Sequence, residues 1–66
     1  MSKRFEDWKA AHTYAVLFAR EIGRDVGISK TVEYGKTGFN VHSLPRPENR
    51  HGFELRAEVV RPTDPL

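Results

Sequence analysis

Apolar and polar positions fall into patterned stretches separated by turn-forming residues. From Phe5 to about Ile22 the apolar residues recur at helical spacing. Trp8, Ala11, Ala15, Phe18 and Ile22 step by three and four along one stripe, with Phe5 and Ala19 at its margins. The spacing predicts an amphipathic helix whose two central alanines permit a close approach to the layer beneath, while Trp8 and Phe18 fill the space on either side. Ser2 is the candidate N-cap, and Glu6 and Asp7 sit where the helix dipole favours negative charge. Gly23 is the natural stop, with a helix running on to Val26 as the alternative.

Three strands are predicted after the helix. Val26 to Tyr34 carries Val26, Ile28, Lys30, Val32 and Tyr34 on one parity; Lys30 interrupts the apolar set, either snorkelling at a sheet margin or marking a later start. Phe39 to Leu44 follows the turn-forming run Gly35-Lys36-Thr37-Gly38 and stops at Pro45, which cannot extend a central ladder. Phe53 to Val60 alternates most clearly, with Phe53, Leu55, Ala57 and Val59 between Glu54, Arg56 and Glu58.

Apolar sets must meet apolar sets across a ladder. A four-residue turn at Gly35 to Gly38 then sets Tyr34 opposite Phe39 and Val32 opposite Val41. On the other side Val41 falls opposite Leu55 and His42 opposite Glu54, a slip of two being equally allowed. The predicted fold is α+β, one N-terminal helix packed on a three-stranded antiparallel β-meander (αβββ) with Phe39 to Leu44 at its centre. Val32, Tyr34, Phe39, Val41, Phe53, Leu55 and Ala57 form the face beneath the helix. Thr31, Glu33, Asn40, His42, Glu54, Arg56 and Glu58 form a polar face away from it. Residues 1–61 make a single domain, and 62–66, with two prolines, are expected as a flexible tail.

Length changes the picture more than charge does. Sixty-six residues allow one thin core, below the roughly 70–80 residues at which a single core is comfortable unaided. The chain has no cysteine, which removes disulfides and thiolate metal sites as staples and leaves oligomerisation as the common remedy. Eleven Lys and Arg against nine Asp and Glu give a net charge of +2, a slight lean towards anionic partners that becomes informative only through clustering. No apolar run reaches the roughly 20 residues a membrane span needs. Glu6, Asp7 and Lys9 interrupt any signal-peptide core. A soluble, cytoplasmic protein is expected, with no small-molecule substrate evident.

The candidate chemistry is sparse. His12, His42 and His51 lack the H-x-x-x-H or H-E-x-x-H spacing of a metal site, and no metal or cofactor is expected. His42 opposite Glu54 places a carboxylate beside an imidazole, the arrangement of a general base, but equally that of an ordinary cross-strand polar pair. Gly35-Lys36-Thr37-Gly38 lacks the upstream glycine and following helix of a phosphate loop and reads as a turn. Arg46, Arg50 and His51 make the eight-residue connection PRPENRHG basic, and with Lys36 and Arg56 they are placed to contact phosphates. Glu33, Glu54 and Glu58 on the same face oppose that contact. On the helix, Ala10, Tyr14 and Leu17 fall far from the buried stripe, so the helix is apolar around more of its circumference than a small sheet covers.

A helix followed by a meander resembles, at fold level, small double-stranded-RNA-binding domains and compact RNA-cleaving toxins. Those toxins carry a strand histidine after a G-S-H-H type stretch. The chain has His42 on a strand without that stretch. The expected function is a non-enzymatic interaction module, contacting a protein partner or a second copy through Ala10, Tyr14 and Leu17. A nucleic-acid-binding accessory role for Lys36, Arg46, Arg50, His51 and Arg56 is the alternative, and a ribonuclease-like enzyme using His42 and Glu54 stands third.

Overall fold

The computed structural model describes residues 2–45 and 57–66. It is α+β, with one helix on one antiparallel sheet, in the order β1 (Ser2–Phe5), α1 (Trp8–Ile22), β2 (Val26–Glu33), β3 (Lys36–Ser43) and β4 (Glu58–Val60). Among the described residues the sheet has four strands, in the order β1-β3-β2-β4. The expected three-stranded αβββ meander is therefore corrected in two places: a strand precedes the helix, and the last strand pairs with β2 instead of β3.

Both corrections follow from how the helix is used. β1 and β2 each run antiparallel to β3, so they are parallel to one another, and parallel strands need a long crossover. The 15 residues of α1 supply it. Its N-cap is Asp7, whose carboxylate accepts from the Ala10 N–H at 3.0 Å, and not Ser2, which lies in β1. Gly23 ends it as the sequence implies, in the left-handed region at φ 67°, a conformation cheap only for glycine.

The β2–β3 hairpin turns on two residues, Tyr34 and Gly35, with φ of 51° and 75°, the positive pair that matches the twist of a tight hairpin. Val32 consequently pairs with Thr37, and Val41 with Ile28. The four-residue turn and the Val32–Val41 pairing are thus replaced by a tighter loop of the same parity.

Buried Val26, Ile28, Val41 and Val60 meet Ala11, Ala15, Val16 and Ala19 of α1 in the core, with Phe5, Tyr14, Phe18 and Phe39 packed around it. Alanines at every fourth position let the helix lie close. Trp8 and Ile22 sit at the margins of the stripe, more than a third exposed, and Val16 takes a central place that the stripe did not include. In β4 it is Val60, paired with Val26, that enters the core, so Val59 has the opposite parity to that expected. Phe53 to Arg56 lie outside the described residues, as does the loop from Arg46 onward.

The start of β2 is covered on both faces. Val26, Gly27, Ile28 and Ser29 are four consecutive buried residues, which alternation allows only if something packs on each side. Val26 and Ile28 face the helix. Gly27 faces away, and a Cβ there would lie 2.9 Å from His42 Cε1, 2.9 Å from Leu44 Cδ2 and 3.1 Å from Ala57 Cβ. Leu44, 2% exposed, therefore gives the far face a small apolar centre of its own.

The other end of the hairpin overhangs the helix. Trp8, its first residue, meets Phe39 edge-on at 5.4 Å. Two residues further along, Val32 is 65% exposed, and Tyr34 is exposed in full. Their expected places on the buried face are corrected: the tight turn carries both past the end of the lid. At the C-terminus Arg20 donates to the Pro62 and Asp64 carbonyls, each at 3.1 Å, and the Asp64 carboxylate accepts from the Arg61 N–H at 3.0 Å. The stretch expected as a trailing tail thus contains a turn held against α1.

Candidate functional site

Among the described residues, three regions carry groups able to do chemistry or bind a partner: the far face of the sheet, the hairpin tip and the outward side of α1.

On the far face, residues of β2 and β3 that share parity form cross-strand columns. Ser29 Oγ lies 2.7 Å from His42 Nε2, and His42 Nδ1 lies 3.1 Å from the Ser43 carbonyl. A carbonyl only accepts, so Nδ1 carries a proton, and in the neutral ring Nε2 accepts from the Ser29 hydroxyl. A hydroxyl bonded to an imidazole that is oriented by a third group has the layout of an activated serine. Ser29 is nevertheless only 7% exposed, which keeps its oxygen away from an incoming carbonyl or phosphoryl group. The Glu54 expected beside His42 lies outside the described residues; the partner that the structure does show, Ser29, depends on the hairpin register and gave no sequence signal.

Further along the same face, Arg4 of β1 reaches across β3. Its guanidinium donates to Thr31 Oγ1 and, at 3.3 Å, to the Lys36 carbonyl, with Glu33 Oε1 at 3.8 Å. Asn40 Nδ2 donates to the same Thr31 hydroxyl at 3.2 Å. Gly38 makes this possible, since a Cβ there would run into the Arg4 guanidinium. The arginine thus ties the N-terminal strand to the hairpin.

At the tip, Arg4, Glu6, Glu33, Tyr34, Lys36 and Thr37 line an open cleft of about 240 Å³. That is below the roughly 300 Å³ at which sites for drug-sized ligands begin. The lining holds two cations and two carboxylates. Of the expected nucleic-acid contacts only Lys36 falls here, exposed and paired with Glu33 across the ladder. Arg46, Arg50, His51 and Arg56 lie outside the described residues.

On the helix, Ala10 and Leu17 are exposed, Leu17 to 51%. Tyr14 is half-buried: its ring lies 5.2 Å from that of Phe5 and 5.9 Å from that of Phe18, with Lys3 Nζ 5.2 Å from its centroid. The strand that the sequence reading missed thus takes up much of this tyrosine, and the outward apolar surface contracts to Ala10 and Leu17. Among the described residues no three of His, Cys, Asp and Glu are grouped to hold a metal ion, and no helix is long and apolar enough to cross a membrane.

No protein family, curated protein or solved structure matches the chain.

Proposed function

We propose that the chain is a small non-enzymatic binding module that acts through a macromolecular partner, a second copy of itself included. The observation that carries this reading is the outward side of α1. Leu17 stands half exposed, with Ala10 on the same side, in a domain whose helical core contribution is three alanines and one valine. A chain so short of large core side chains gains from covering a leucine. The groups with the layout of catalysis support the same reading, because the buried Ser29 is bonded to His42 and Arg4 is spent on Thr31 and the Lys36 carbonyl. The nucleic-acid reading keeps only Lys36 among the described residues, with Glu33 as its ladder partner.

Sedimentation over a concentration series tests the self-association version, and a chain that remains monomeric at the highest concentration removes it. Amide shift mapping with candidate partners tests the wider reading. An RNA- or ester-cleaving activity that disappears in His42→Ala would overturn it.

A further inference from the structure

We draw no further inference here: the strongest candidate, the exposed apolar surface that Val32 and Tyr34 present at the tip of the β2–β3 hairpin, beyond Trp8 at the start of α1, carries nothing because nothing in the structure shows what covers it.

Discussion

Adding one methyl group at Gly27 is expected to destabilise the fold, although glycine in a strand is ordinarily a weakness. In an open strand Gly→Ala gains roughly 0.5–1 kcal/mol through the lower entropy of the unfolded chain. At Gly27 the new Cβ would meet His42 Cε1 and Leu44 Cδ2 at 2.9 Å each and Ala57 Cβ at 3.1 Å, closer than carbon atoms pack. Leu44 is buried and His42 is tied to Ser29, so neither is free to swing into solvent. Overpacking of this kind costs about 1–3 kcal/mol. The net expectation is a loss of about 1–2 kcal/mol, and for a domain of this size each kcal/mol moves the melting midpoint by about 4–8 °C. Urea denaturation measures it directly, with an unchanged slope showing that stability alone has moved.

A double-mutant cycle with Leu44→Ala assigns the cause. The leucine truncation alone should cost about 2–5 kcal/mol. In the Gly27→Ala background it should cost at least about 0.5 kcal/mol less, because the vacated space takes the methyl. A Gly27→Ala protein as stable as wild type, or strictly additive effects, would refute the two-sided packing of β2.

Other substitutions probe the remaining joints. Asp7→Ala should cost about 1 kcal/mol through the lost N-cap, whereas Ser2→Ala should leave helix content unchanged by circular dichroism; the reverse result would move the helix start back to the N-terminus. Arg4→Ala and Gly38→Ala should each lower the urea midpoint by the equivalent of about 1 kcal/mol, and together by little more than either alone, since both remove the same guanidinium bonds. Arg20→Ala should speed amide exchange across residues 61–64 while leaving the sheet's exchange unchanged. In sedimentation, Leu17→Ser should abolish any self-association that wild type shows at high concentration.

Much of the fold was legible because long periodic segments announce themselves. The stripe through Ala11 and Ala15 and the stop at Gly23 specified α1, and the apolar parity of β2 and β3 survived a register shifted by four residues because any even slip preserves the faces. What failed was short or ambiguous. Ser-Lys-Arg-Phe is too brief and too charged to read as a strand, and it becomes one only because the β2–β3 hairpin lays β3 beside it. Tyr34 gave no hint of a turn, since its residue type argues against positive φ. Val59 and Val60 are adjacent and equally apolar, so neighbouring charges fixed the wrong parity until pairing with β2 decided it. Of the candidate sites, the outward Ala10 and Leu17 of α1 were legible, as was His42 on a strand. Its bond to Ser29, the reach of Arg4 to Thr31 and the exposure of Tyr34 all depend on the hairpin register, which the two-residue turn sets.

The incorporation of the N-terminal strand is the point from which the rest follows, because it fills the edge of β3 and leaves β4 to pair with β2. Cross-strand nuclear Overhauser contacts in a uniformly labelled sample test it most directly. The expected pattern places Lys3 beside Val41, Arg4 beside Asn40 and Val60 beside Val26. Contacts between residues 58–60 and β3, with none from residues 2–5, would contradict it.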